Sequence, residues 1–251
     1  DLAVYGGFNG TETLLSQRDW QTNITILSGD LNNDDAVTGI GESLSIANNT
    51  ENSYHVIHNS GVNSGAILDG FIIQGGNADN NTNGGGIWNE SSSPGIANCI
   101  FTGNQAYNGG AIYNITSSPV ITGCTLNENI GNNEGGGISN NSSSPQITNC
   151  TFSGNKSAGS GGGINNNNNS SPVLLNCTLS KNFATSGGGI YNYNNSNPTV
   201  TNCLIVNNSA TTYGGGVTNS SSPSSVFINC TISGNTSSSN GGGVYNNSSS
   251  T

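Results

Sequence analysis

Along most of the chain, apolar positions come in pairs five residues apart that straddle a cysteine. Three residues before Cys99, Cys124, Cys150, Cys177, Cys203 and Cys230 stand Ile96, Ile121, Ile147, Leu174, Val200 and Phe227. Two residues after the same cysteines stand Phe101, Leu126, Phe152, Leu179, Ile205 and Ile232, and the positions between are mostly Thr, Ser and Asn. Such short alternations, broken by Gly, Asn and Pro, predict strands a few residues long joined by turns, with the apolar columns facing a common core. A second motif keeps the same beat: GGGIWN at Gly84, GGAIYN at Gly109, GGGISN at Gly135, GGGINN at Gly161, GGGIYN at Gly187, GGGVTN at Gly214 and GGGVYN at Gly241, spaced 25 to 27 residues apart. A fixed period of that size without helical periodicity predicts a solenoid in which each repeat is one coil stacked on the last. The dominance of Gly, Ser, Asn and Thr also argues against helices.

Three polar columns run beside the apolar ones. Just before the cysteines stand Asn98, Gly123, Asn149, Asn176, Asn202 and Asn229. Asn and Gly interchange where the backbone turns left-handed, so this column predicts a corner with a structural ladder of amides, beside the cysteine ladder that follows it. Asn104, Asn129, Asn155, Asn182, Asn208 and Asn235 mark a second corner, and Asn89, Asn114, Asn140, Asn166, Asn192, Asn219 and Asn246 close the GGGIxN strand. Residues 84–251 are thus regular repeats, and residues 1–83 read as irregular N-terminal coils of the same single domain. Within the latter, GAILDGFIIQGGN is a degenerate coil with Phe71 in the cysteine position, Gly70 at the corner, and Leu68 and Ile73 in the two core columns. At about 26 residues per coil the chain has room for nine or ten coils, a rod about 45 Å long.

The pairing of GGAI at Gly109 with FTGN at Phe101 and FSGN at Phe152 resembles the repeat of the chlamydial polymorphic membrane proteins. More broadly, the chain resembles secreted bacterial right-handed parallel β-helix proteins of the pectate-lyase-like fold, over about two thirds of its length. The resemblance implies an all-β right-handed parallel β-helix, extracellular or displayed on a cell surface and often adhesive. It is specific for fold and a poor guide to activity.

Charge narrows the partners. Only Arg18, Lys156 and Lys181 are basic in a chain of net charge -10. Three cations cannot neutralise a phosphate backbone or hold an anionic bilayer, and no stretch reaches transmembrane length, so neither nucleic acid nor membrane insertion is expected. Ten of the thirteen acids precede Gly84. Among them Asp30, Asn32, Asp34 and Asp35 have the D-x-N-x-D spacing of a calcium loop. Asp35 stands where that pattern wants Gly, and Glu42 falls one place beyond the expected bidentate acid, so a solvated loop competes with a calcium site. No other cofactor is indicated.

Candidate chemistry elsewhere is thin. The six cysteines invite disulfides, but in-register residues on stacked coils lie about 4.8 Å apart against the ~3.8 Å between Cβ atoms that a bridge needs, so a buried ladder of free thiols is expected. Lyases of the resembled fold need a base beside calcium-binding acids, and glycosidases need two facing carboxylates. The three basic residues are scattered, and only Glu90, Glu128 and Glu134 lie in the repeats; His55 and His58 have no acid or Cys spaced for a metal. The chain therefore reads as noncatalytic. Trp88, Tyr113, Tyr191 and Tyr245 share one phase that alternation directs outward, a stripe that suits a carbohydrate ligand. Outward Thr and Ser columns beside the cysteines, interrupted at Ile100 and Leu204, admit ice binding as a lesser alternative. Asn114, Asn155, Asn235 and Asn247 begin glycosylation sequons. GGGVYNNSSST stops partway through a coil, which predicts either a longer parent chain or end-to-end self-association. The expected role is a stiff surface scaffold, adhesin stalk or fibre subunit, with carbohydrate-binding module or polysaccharide-active β-helix as the alternative.

Overall fold

The structure, a computed structural model, describes residues 2–221 and 224–247. One coil shows the plan: strands Gly95–Ala97, Ile100–Thr102, Gln105–Asn108 and Ile112–Ile115 follow one another around the core, and Val120–Thr122 begins the next coil above the first. Each strand pairs in parallel with its equivalent one coil away, as in Ile96↔Ile121, Phe101↔Leu126, Gln105↔Ile130 and Ile112↔Ile138. The result is four parallel sheets of eight, eight, seven and eight strands running the length of the molecule. The fold is an all-β parallel solenoid.

The apolar columns stack as their spacing requires. Ile96, Ile121, Ile147, Leu174 and Val200 line the first sheet, Phe101, Leu126, Phe152, Leu179 and Ile205 the second, and Ile87, Ile112, Ile138, Ile164, Ile190 and Val217 the fourth, all buried in one core with Cys99 to Cys203. The third sheet faces inward with Ala78, Ala106, Ala184 and Ala210, because the neighbouring Gly-Gly pairs bring backbone against backbone there. The degenerate coil is in register: Leu68 pairs with Ile96, Ile73 with Phe101, and Gly70 has φ +84°.

Seven or eight layers replace the nine or ten coils expected. The missing length is spent on loops and on one lateral excursion. Ala36–Thr38 and Ser45–Ala47 form an antiparallel hairpin that belongs to none of the four sheets. It lies against the side of the solenoid, where Leu44 and Ile46 pack on Ile130, Gly41 N donates to Gly154 O at 3.0 Å, and Lys156 Nζ donates to Leu44 O at 3.1 Å. The alternation of AVT and SIA was the available signal, and it was hidden by the absence of any matching repeat.

Polar columns run along three of the four corners and along the fourth sheet. At the first corner, Asn98, Gly123, Asn149, Asn176, Asn202 and Asn229 all have positive φ between 51° and 64°. Their side chains pair rather than run as one ladder, Asn176 donating to Asn149 at 3.2 Å, Asn229 to Asn202 at 2.7 Å and Asn98 to Asp69 at 2.9 Å, with Gly123 interrupting the column. At the second corner the left-handed residue is the one before the asparagine, Gly103, Glu128, Gly154, Lys181, Asn207 and Gly234. The asparagine itself turns inward, and Nδ2 to Oδ1 bonds of 2.9 to 3.0 Å link Asn104, Asn129, Asn155, Asn182, Asn208 and Asn235. A second inner ladder joins Asn59, Asn89, Asn114, Asn140, Asn166, Asn192, Asn219 and Asn246 at 2.7 to 2.9 Å. The fourth corner adds a serine ladder: the amides of Ser92, Ser117, Ser143 and Ser170 each donate to the hydroxyl of the equivalent serine one coil on, at 2.8 to 3.0 Å. Buried polar columns of this kind satisfy backbone groups at the bends, where the sheets cannot.

Candidate functional site

The acidic loop after the strand Ile26–Ser28 is brought together by local turn chemistry. Asp30 accepts the amides of Asn33, Asp34 and Asp35 through its two carboxylate oxygens, at 2.6, 3.3 and 3.3 Å, and Asn33 takes φ +57° to close the turn. Carboxylate oxygens of Asp30, Asp34, Asp35 and Glu51 lie within 4.8 Å of one another. The fourth acid is therefore Glu51, which returns from the far side of the hairpin; Glu42 sits at the hairpin tip in the turn Gly41–Ser43, and Asn32 is exposed. Spacing along the sequence could not show Glu51, because the hairpin separates it from Asp35. Burial pushes the Asp35 carboxyl up; the amide of Asn52, donating at 2.8 Å, opposes this, and the charges of Asp30, Glu51 and Asp34 add to it.

The aromatic column exists, but it is not the open stripe that alternation suggested. In register it runs His58, Trp88, Tyr113, Ser139, Asn165, Tyr191, Thr218, Tyr245. Tyr113 is 5 % exposed, and Ser139, Asn165 and Thr218 are 1 % exposed. The reason lies in the triple glycines. The first of each triplet is left-handed, with a Cβ at Gly135 meeting Ile138 O at 2.4 Å, so the residue before it folds back over the outer face of the following strand. Thr218 Oγ1 accordingly donates to Tyr213 O at 3.0 Å, Asn165 Nδ2 to Glu134 Oε2 at 3.0 Å, and Tyr213 stacks on Tyr245 at 4.5 Å. Desolvation beneath this layer raises the Glu134 carboxyl and the Tyr113 and Tyr191 hydroxyls. The four aromatics thus offer sugars no continuous face. At the N-terminal end of the column Trp88 stacks on His58 at 4.6 Å, and His55 Nδ1 donates to Gly84 O at 2.8 Å, its pKa lowered by burial.

The cysteines are free. Five are buried and Cys230 is half-buried, and they bond along the axis, with Cys124 N donating to Cys150 Sγ at 3.4 Å and Cys177 N to Cys203 Sγ at 3.3 Å. Hydrogen bonding to Cys150 and Cys99, with burial added, holds the Cys124 thiol well above its usual range; bonding to Cys177 and burial do the same for Cys203. The same hydrogen bonds with Cys124 shift Cys150 down to about 4 and lower Cys99, so it is cover from solvent, shared by all five buried thiols, that keeps the ladder from reacting. We expect an aromatic disulfide reagent to titrate Cys230 first in the native chain and the other five only as urea unfolds it. Rapid reaction of all six would show that the stack is open.

Two sequon expectations are corrected. Asn114 and Asn155 are fully buried, and their Nδ2 atoms are committed to the two inner ladders, so neither presents a nitrogen to a glycan in the folded chain. Asn235 is half-buried and donates to Ile205 O at 2.7 Å. Asn247 is exposed, while the serines that complete its sequon lie outside the described residues.

Among the described residues no helix is long and apolar enough to cross a membrane. Against known proteins, the family described as the right-handed beta helix region matches residues 87–251, about two thirds of the chain. No curated protein and no solved structure matches it.

Proposed function

The chain belongs to the right-handed β-helix family, and from that premise we propose that it is a noncatalytic extracellular scaffold, a stiff polar rod that serves as an adhesin stalk or fibre subunit. The likeness of its GGAI and FxxN repeats to those of the chlamydial polymorphic membrane proteins supports the extracellular part of this reading. The observation that carries the proposal is the pair of inner asparagine ladders, which bond every coil from Asn59 to Asn246 to the next. Bending the rod or sliding one coil on another breaks buried amide bonds in a dry core, so the fold resists bending along its whole length. Polar faces of Thr, Ser and Asn with little charge suit display in a crowded, salty exterior.

End-to-end stacking is part of the proposal, since coil stacks on coil through the same parallel strand pairing all along the solenoid, as at Ile96↔Ile121 and Phe101↔Leu126, and such pairing can propagate from one chain to another. Negative-stain electron microscopy of the protein from its native source, over a concentration series, tests it. Unbranched rods with a regular subunit spacing, lengthening as concentration rises, are expected. Short separate particles at every concentration would overturn the fibre reading.

A further inference from the structure

We propose that the lateral hairpin is fastened at its base by a calcium ion, held by Asp30, Asp34, Asp35 and Glu51. The four carboxylates converge to within 4.8 Å, yet they come from the two sides of an excursion: Asp30, Asp34 and Asp35 precede the strand Ala36–Thr38, and Glu51 follows the strand Ser45–Ala47. Among the described residues no ion pair involves them. Arg18 pairs with Asp69, the Lys156 ammonium is spent on the Leu44 carbonyl, and the other ion pair among the described residues joins His58 to Glu90.

A second observation points to a ligand rather than to an acidic surface. Asn52 is 9 % exposed and reaches into the cluster, its Nδ2 2.8 Å from Asp35 Oδ2, and its Oδ1 has no protein partner. Asp35 Oδ1 and Glu51 Oε1 are likewise buried and unpartnered. Single unpartnered buried oxygens occur elsewhere, as at Asn77, Asn127 and Asn165, but three unpartnered acceptors at one place, two of them on carboxylates, ask for a cation. Oxygen-only donors of this hardness suit calcium, which takes six to eight oxygens in a flexible shell and accepts carboxylates in one- or two-oxygen fashion. Magnesium demands a tighter octahedron and gives up water reluctantly.

The consequence is structural. The segment beyond Glu51 joins the solenoid, where Ser53 N donates to Gly29 O and Asn77 N to Ser53 O. Closing Glu51 on Asp30, Asp34 and Asp35 therefore pins both ends of the hairpin to the same coil. Its body then lies as a strap across the coils at Ile130, Gly154 and Lys156.

Chain stripped with a chelator and titrated with calcium in a calorimeter tests the site. One ion per chain should bind, with a dissociation constant on the order of 10⁻⁴ to 10⁻³ M, as in extracellular modules, and magnesium should bind at least about tenfold more weakly. Hydrogen exchange across residues 36–47 should slow on adding calcium. Asp35→Asn and Glu51→Gln should each weaken binding at least about tenfold while leaving the metal-free chain as stable as before or more so, because each removes a repelled charge. Asp79→Asn, outside the cluster, should bind as the parent does. Absence of binding up to about 10 mM calcium, well above that range, or binding that both cluster variants leave intact, would overturn the site. Equal affinity for magnesium would overturn its assignment to calcium.

Discussion

Replacing Asn155 by aspartate should unfold the middle of the solenoid, at a cost of about 4 kcal/mol or more. Asn155 is fully buried and uses both ends of its amide. Its Oδ1 accepts from the backbone and side-chain nitrogens of Asn129, at 3.1 and 3.0 Å, and its Nδ2 donates to Leu126 O at 2.8 Å and Asn182 Oδ1 at 3.0 Å. A carboxylate keeps the accepting half and turns an oxygen toward two acceptors in a dry core. The same change at Asn235, half-buried and the last rung of this ladder among the described residues, loses one donated bond beside water and should cost only about 1 to 2 kcal/mol. Because a solenoid can open coil by coil, the check is hydrogen exchange resolved along the chain together with urea unfolding. Protection should collapse around residues 129–182 for Asn155→Asp and only near the C-terminal coils for Asn235→Asp. Burial disfavours the charged form of the new carboxyl, so the deficit at position 155 should shrink as the pH falls and the group takes up a proton. Equal losses at the two positions would mean that the ladder is decoration on a fold held by its apolar columns alone.

The apolar columns, the coil period and the first corner were legible in the sequence because each is a local, repeated choice: Ile96 and Phe101 recur at fixed distances from a cysteine, and only Asn or Gly stands where φ is positive. The second corner was less legible for the same reason reversed. Its left-handed residue is Gly in some coils and Glu128 or Lys181 in others, so no residue type marks it, and the asparagine beside it drew the assignment. What could not be read was everything produced by chain doubling back. Tyr113 alternates outward as expected and is still covered, because the turn at Gly109 lays the preceding segment over it. Glu51 joins Asp30, Asp34 and Asp35 only through a hairpin with no repeat to announce it. Three of the four cluster acids could be named from spacing; the closing one required the fold.

The triple glycines make the sharpest test of how the coils are packed, since their three positions are held for different reasons. Gly161 has φ +67°, where a side chain is strained whatever room it has. Gly162 has ordinary φ but no room: a Cβ there would meet Gly188 O at 2.5 Å and Phe183 O and N at 2.5 and 2.7 Å, all backbone of the next coil. Gly163 also approaches the next coil, at 2.7 Å from Gly189 O, but its other neighbours are the ends of side chains, Leu179 Cδ2 at 3.2 Å and Asn182 Nδ2 at 3.4 Å. The molecule itself shows which constraint yields. Ala111 occupies the third position of its own triplet, fully buried, with its amide bonded to Gly136 O and Gly137 O as the glycines' amides are bonded elsewhere. Gly163→Ala should therefore cost about 1 kcal/mol or less, whereas Gly162→Ala should force two coils apart and cost about 3 kcal/mol or more. Urea midpoints of the two variants, measured side by side, decide it. If both lose the same stability, the second glycine is not the point of closest approach between coils, and the narrow third sheet with its alanines owes its shape to something else.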